Sequence, residues 1–274
     1  MSKPFLQWAG GKYRILEELK KYFPTGKRFI EPFIGAGSVS FNVSYPSFII
    51  NDVNQDLISV YSFLSSHGTD FIADTKKLFI PENGTKEAYQ ALKLEFNSST
   101  DKYRKACLFV YLNRHCFNGL CRYNSKGQFN TPVGTLGKAS FPEKEMNEAI
   151  AVLSKFVIKC GDFRLIFDEV TEGDVVYCDP PYLPLSPSAS FSAYAKGGFN
   201  LKDHEDLANC AIKASQKGVT VIISNHWTPD SERLYANAEI NLLNVNRVIS
   251  CKGDNRKPVK EVIAVFKPCK MQGL

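Results

Sequence analysis

The chain has 274 residues, enough for one large domain or two small ones with a sizeable core. A hydrophobic content of 44% and a charged content of 23% are those of an ordinary soluble globular protein, and no apolar run approaches the ~20 residues that cross a bilayer. The formal charge of +6 is modest, so what it implies about partners depends on where the basic residues fall.

The N-terminus, Met1-Ser2-Lys3-Pro4-Phe5, lacks the apolar core and cleavage site of a signal peptide, so a cytoplasmic location is expected. The 8 cysteines are scattered without a CxxC pair and the 4 histidines are dispersed. Disulfides and a zinc finger are therefore not expected, and the protein reads as metal-free.

In chain order, Phe29-Ile30-Glu31-Pro32-Phe33 reads as a short buried strand, followed by Ile34-Gly35-Ala36-Gly37-Ser38. Alternating glycines permit a tight turn and close backbone approach to a ligand, with Ser38 placed to cap a helix. A second strand, Phe48-Ile49-Ile50-Asn51, ends on Asp52. A glycine turn after one strand and an acid ending the next is the nucleotide-binding pattern: backbone to ligand, carboxylate to ribose hydroxyls. Gly37 and Asp52 lie closer than the ~20 residues of the dinucleotide fingerprint, and a third glycine is missing. A nucleoside without a pyrophosphate fits better.

Residues 56–142 have a different texture. Helical periodicity runs through Tyr89-Leu92-Leu94-Phe96 and again through Ala106-Leu108-Phe109-Tyr111-Leu112. The polar loop Asn118-Gly119-Leu120-Cys121-Arg122-Tyr123-Asn124 follows, with Ser125-Lys126-Gly127-Gln128 as a hairpin turn before Phe129-Asn130. This block reads as an inserted helical domain carrying a β-hairpin. Lys102, Arg104, Lys105, Arg114, Arg122, Lys126 and Lys138 lie here among aromatic and amide side chains. That mixture suits phosphate contacts plus base reading, although a solvated helix face explains the first cluster about as well.

Strand–helix alternation then resumes. Phe156-Val157-Ile158-Lys159-Cys160 is a strand ending in Gly161-Asp162-Phe163, and Asp174-Val175-Val176-Tyr177-Cys178 is a buried strand ending in Asp179-Pro180-Pro181-Tyr182. Two prolines cannot continue a ladder, so the chain must turn out of the sheet there. It leaves a carboxylate, a carbonyl and an aromatic ring at the carboxyl edge, where open α/β sheets bind ligands. Together these groups suit a planar heterocycle with an exocyclic amine: Tyr182 stacks, while Asp179 and the Pro180 carbonyl accept from the NH2. Residues 183–200 read as a mobile loop beside the site. Asn200 caps a helix to Lys217 with Asp203 in its first turn, and a strand over 219–225 follows. Two last strands, near 240–249 and 261–266, flank a basic loop with Arg247, Lys252, Arg256, Lys257 and Lys260 in this part of the chain.

Trp8-Ala9-Gly10-Gly11-Lys12, the Glu31–Val39 segment, Asn118–Asn124 and Asp179–Tyr182 occur in this order. The ordered set, spanning essentially the whole chain, resembles the Dam-type DNA adenine-N6 methyltransferases of the α group. The resemblance implies a Rossmann-like mixed seven-stranded sheet with an antiparallel last strand. The SAM-binding catalytic domain would be 1–55 and 143–274, and the DNA-recognition domain 56–142. It implies S-adenosylmethionine (SAM) as cofactor and no metal. Trp8, Lys12, Gly35, Gly37, Asp52, Asp162, Phe163 and Asp179 would bind SAM, with Asp162 at the adenine amine, and Asp179, Pro180 and Tyr182 would be catalytic. Double-stranded DNA would be met by Gln7, Arg114, Phe117, Asn118, Leu120, Arg122, Asn130, Thr135 and Leu136. Asn118 would fill the space of a flipped adenine, and Arg122 would read a base or hold a phosphate.

GATC is the expected target. The chain departs from the family pattern at Gln7, where Lys is common, and at Thr135-Leu136, where Arg-Tyr is common. Both bear on readout of the outer bases. A monomer is expected, with any cognate restriction endonuclease a separate protein. Other readings of the pocket are methylation of adenine at another DNA sequence or in RNA, or of a protein glutamine amide. A DNA-binding regulator without turnover is a further reading.

Overall fold

The computed structural model describes residues 1–135, 139–185, 198–245 and 259–269. Leu136, Lys138, most of the expected 183–200 loop, and Arg247, Lys252, Arg256 and Lys257 lie outside the described residues. Seven strands, β1 (Arg28–Glu31), β2 (Ser47–Asp52), β3 (Phe156–Cys160), β4 (Val175–Cys178), β5 (Thr220–His226), β6 (Glu239–Val245) and β7 (Val259–Phe266), form one sheet. Its order is β3-β2-β1-β4-β5-β7-β6. Strand β4 pairs in parallel with β1 and β5, β2 with β3, while β7 runs antiparallel to both β5 and β6. This is the expected Rossmann-like mixed sheet. Every residue of β4 is buried, as a central strand covered on both faces requires, whereas the edge strand β3 is only partly covered.

The contacts divide the chain into two compact units. The first comprises Met1–Leu19, Ile34–Ser44 and Phe48–Gly161. After a short α1 (Leu16–Leu19) come α2 (Gln55–Lys76), α3 (Lys86–Ser98), α4 (Lys102–His115) and α5 (Glu143–Leu153). The Asn54 side chain caps α2 by accepting from the Asp56 and Leu57 N–H groups, and Asp101 caps α4 through Tyr103 and Arg104. Helix α2 breaks at Gly68, whose φ of 53° no helix interior tolerates. Residues Ala106–Asn113 of α4 are all buried, which makes α4 the core helix that α2 and α3 pack against. The two periodic segments of the sequence are α3 and α4. Leu94, though part of that period, faces solvent at 68% exposure.

No long helix follows β1, and the cap expected at Ser38 is not made. Positive φ at Gly35 (47°) and Gly37 (72°) folds the loop back so that Gly37 N–H donates to Ile34 O, and only a 3-10 turn, Ser40–Asn42, follows. Val39 occupies the position before it, without a side-chain cap.

The second unit comprises Lys20–Phe33, Tyr45–Ser47 and Asp162–Leu274. It holds α6 (Phe163–Asp168), α7 (Leu201–Gln216) and α8 (Pro229–Leu234). Asn200 and Asp203 form a reciprocal capping box on α7, as the sequence predicts. At the amino ends of β1 and β4, Arg28 grips the buried Asp174 through Nε–Oδ1 (2.9 Å) and Nη2–Oδ2.

Candidate active site

In the first unit the carboxyl ends of β2 and β3 lie side by side, with Gly161 N–H donating to Asp52 O. The Asp52 carboxylate is spread between two backbone donors, Gly35 N on Oδ2 (3.1 Å) and Asn54 N on Oδ1 (3.0 Å). Burial raises its pKa, and the N–H groups of Asn54, Gly35 and Val53 pull it back in part. The glycine loop is held from below by Tyr61 Oη, which donates to Gly35 O at 2.8 Å. A Cβ on Gly35 would meet the Trp8 indole at 2.8 Å, so the ring of the N-terminal motif lies directly on the loop. Lys12 is buried and its Nζ donates to Gly10 O at 2.8 Å, closing the Gly10-Gly11 turn. Trp8, Gly35 and Asp52 are thus brought together. The cradle fits a nucleoside with hydroxyls for Asp52 to accept from.

The polar loop and hairpin belong to the same unit. Asn118 is the one non-glycine residue with positive φ (54°) among the described residues, and Gly119 follows at 64°. Phe117, immediately before these two left-handed residues, is 50% exposed. The loop is tied at its base by Phe117 N–H to Pro132 O (2.9 Å) and Gly134 N–H to His115 O (2.8 Å). A Cβ on Gly119 would lie 2.3 Å from Gln7 Cβ, so this turn packs on Gln7. The buried Asn113 carboxamide holds both backbone groups of Gln7, accepting from N at 2.8 Å and donating to O at 2.7 Å.

The hairpin forms as expected, with Tyr123 and Phe129 bridged and Asn130 N–H bonded to Arg122 O. Arg122 is exposed, and its Nε donates to Asn130 Oδ1 at 2.9 Å, which orients the guanidinium. Leu120 O accepts from the Thr131 hydroxyl. Arg114 is half-buried, with its pKa lowered by desolvation and Nη2 3.4 Å from Ser140 Oγ. Thr135 is exposed.

In the second unit β4 delivers Asp179 and a buried Pro180 to its carboxyl end. Tyr182 is half-buried: its hydroxyl donates to Glu261 Oε2 on β7 at 3.1 Å, and its ring meets the His226 ring of β5 edge-on at 4.8 Å. Burial and the carboxylates of Asp179 and Glu261 push the phenol pKa well up, so the hydroxyl stays a donor. Asp162 caps α6 by accepting from Arg164 N–H, and Arg164 Nη1 pairs with it at 2.9 Å. Arg164 also binds Asp203 and Asp206, each at 2.7 Å, and lies over the Phe163 ring at 4.5 Å. Phe163 in turn packs with Phe33 and Phe199.

Sequence reasoning missed Asn113, Arg164, Asn225, His226 and Glu261. A signal for Asn225-His226 was present, since polar residues closing an apolar strand at its carboxyl end mark a ligand edge. Asn113 and Glu261 carried none, because each acts through a partner distant in sequence. Among the described residues no group of three or more His, Cys, Asp or Glu is arranged to hold a metal ion, and no helix is long and apolar enough to cross a membrane.

A family model of D12 class N6 adenine-specific DNA methyltransferases matches residues 8–250. The chain is 41% identical to the DNA adenine methylase of Vibrio cholerae over 267 residues, covering 97% of this chain and 96% of that one. It is 40% identical to the DNA adenine methylase of Escherichia coli K12 over the same length and shares. Among solved structures, a human methyltransferase 10 domain containing protein aligns over 96% of this chain and 82% of its own, with 10% identity and a TM-score of 0.39, too distant to bear on function. The order of the four sequence motifs, the mixed sheet and the two relatives agree, and the chain belongs to the D12 class N6 adenine-specific DNA methyltransferases.

Proposed function

We propose that this DNA adenine methyltransferase uses SAM as methyl donor and acts on an adenine turned out of a DNA duplex, within GATC. The observation that carries the reading is Asp179-Pro180-Pro181-Tyr182 at the carboxyl end of the buried strand β4, with the Tyr182 ring held on two sides. SAM supplies an electrophilic methyl on a sulfonium. Asp52 accepts from its ribose hydroxyls, the Gly35 and Gly37 backbone passes its amino-acid part beside Trp8 and Lys12, and Asp162 with Phe163 receives its adenine.

Adenine N6 is a weak nucleophile because its lone pair is delocalised into the ring. Asp179 and the Pro180 carbonyl accept its two N–H bonds, draw the nitrogen toward tetrahedral geometry and aim the pair at the methyl. Positioning and charge stabilisation then carry the rate, as the nitrogen becomes cationic beside the Asp179 carboxylate. The methyl's bond to sulfur would break as its bond to nitrogen forms, and the surplus N6 proton would then pass to solvent, so Asp179 need not act as a base. Turning the base out costs a few kcal/mol, and stacking on Tyr182 returns about 1–3 kcal/mol.

On the DNA side, Phe117 and Asn118 are presented at the left-handed turn, and Leu120 follows with its N–H bonded to Phe117 O. The oriented Arg122–Asn130 pair suits bidentate reading of a guanine. Gln7, Arg114, Thr135 and Leu136 complete the proposed DNA-binding set. Domains of 1–55 with 143–274 for catalysis and 56–142 for recognition remain part of this proposal. Asp179→Ala is the direct test: SAM still bound, with turnover down at least 10²-fold. Retained turnover would remove Asp179 from the mechanism.

A further inference from the structure

Leu183, the first residue after Tyr182, has both backbone groups bound by side chains of β5. Its N–H donates to Asn225 Oδ1 at 2.8 Å, and its carbonyl accepts from His226 Nδ1 at 2.7 Å. A carbonyl cannot donate, so Nδ1 carries the proton. Pro180 and Pro181 have no N–H, so this stretch cannot be fixed by a strand ladder, and two side chains do the ladder's work. Asn225 is fully buried and itself fixed: its Oδ1 also accepts from His226 N–H at 2.8 Å, and its Nδ2 donates to Tyr235 Oη at 3.0 Å.

The same bracket reaches the aromatic ring. His226 stands edge-on to Tyr182, at 77° between planes. Directly opposite His226 in the antiparallel β5–β7 ladder sits Glu261, the acceptor for the Tyr182 hydroxyl. A phenol ring has two torsions to fix. The His226 edge restricts rotation about Cβ–Cγ, and Glu261 anchors the far end of the ring.

We infer that Asn225, His226 and Glu261 are positioning residues for methyl transfer: together they hold the Leu183 backbone and set the plane of the Tyr182 ring on which the target base stacks. This rests on the reading of Tyr182 as the stacking residue. None of the three needs to touch substrate. The effect of Glu261 passes through the Tyr182 hydroxyl, so it must disappear when that hydroxyl is gone.

A double-mutant cycle between Tyr182→Phe and Glu261→Ala tests this, with steady-state turnover, SAM affinity and the fluorescence of 2-aminopurine at the target position read together. Expected are roughly tenfold losses in kcat for each single variant, unchanged SAM binding, and a double variant no slower than Tyr182→Phe alone. Glu261→Gln, which keeps an acceptor, is expected to recover most of the loss. His226→Asn keeps a donor for Leu183 O but removes the ring edge, and is expected to alter the 2-aminopurine signal while thermal stability changes little. It also serves if Glu261→Ala does not fold. Independent, multiplying losses in the cycle, or a Glu261→Ala enzyme as fast as the parent, would overturn the inference. Tyr182→Ala separates the underlying reading: if it leaves turnover and the 2-aminopurine signal intact, the stacking role itself falls.

Discussion

At the scale of single residues, much rests on how Asp52 is held. Ribose hydroxyls donate, so the proposed role needs the ionised carboxylate, and burial raises the pKa at which that charge is lost. SAM affinity is therefore expected to be full above this raised pKa. It should fall as the pH drops through it, starting at a higher pH than an unperturbed aspartate would give. Calorimetric titration of SAM across the acidic range measures this, and Asp52→Asn should bind weakly with the dependence gone. An affinity that stays flat in the parent protein would contradict the assignment. Gly119 makes the second case. Its φ of 64° and the 2.3 Å approach of a Cβ to Gln7 leave no room for alanine. Gly119→Ala is expected to weaken binding to a GATC duplex about tenfold or more while SAM binding is retained, since the turn carrying Phe117 and Asn118 must shift. Equal DNA affinity, measured by fluorescence anisotropy, would mean the turn is not part of the contact surface.

At the scale of elements, the Arg28–Asp174 pair joins the starts of the parallel strands β1 and β4, with the Asp174 side chain fully buried. Removing one partner leaves an uncompensated charge, so Arg28→Ala should cost about 3 kcal/mol, read as a lower urea midpoint with an unchanged slope. Helix α7 supplies a pH-dependent term. His204 is 1% exposed, and burial pushes its pKa down to about 4 from the ordinary 6.5. A histidine kept neutral in the fold stabilises fully above its unfolded pKa, and that contribution is lost as the pH falls toward about 4. About 3 kcal/mol is expected to disappear across that window, and His204→Phe should flatten it in a urea–pH series.

The elements themselves were largely legible. Seven strands announced themselves through short apolar runs, and α7 through Asn200 and Asp203. The loop after β1 was misread at Ser38, because a serine after glycines caps a helix only if the chain leaves the turn straight, and the two left-handed glycines prevent that. Helices α2, α5, α6 and α8 and the Arg28–Asp174 pair were not seen. The pair spans 146 positions, and nothing local in either segment marks its partner.

At the scale of the molecule, the strand ends that carry the proposed site residues were more legible than the packing around them. Asp179–Tyr182 could be read from the sequence because proline after a strand has few uses. Gly35 and Asp52 could be placed at strand ends, where a cofactor would find backbone access and an acceptor. What no local pattern revealed is the support: Trp8 lying on Gly35, Asn113 holding Gln7, and the Asn225–His226–Glu261 bracket around Tyr182. Each joins segments far apart in the chain, so it exists only once the sheet and helices have formed. The chain shares its family with these relatives, and under the proposed function Gln7 and the Thr135-Leu136 step would bear on which bases are read.

The most direct measurement of the central claim is tritium transfer from labelled SAM to two matched duplexes, one containing GATC and one with that site scrambled. Label in the GATC duplex alone is the predicted result, and it would also show that Gln7 permits reading of the outer pair. Equal label in both would contradict GATC recognition while keeping the adenine chemistry, and no label in either, with SAM still bound, would contradict the proposed transfer itself.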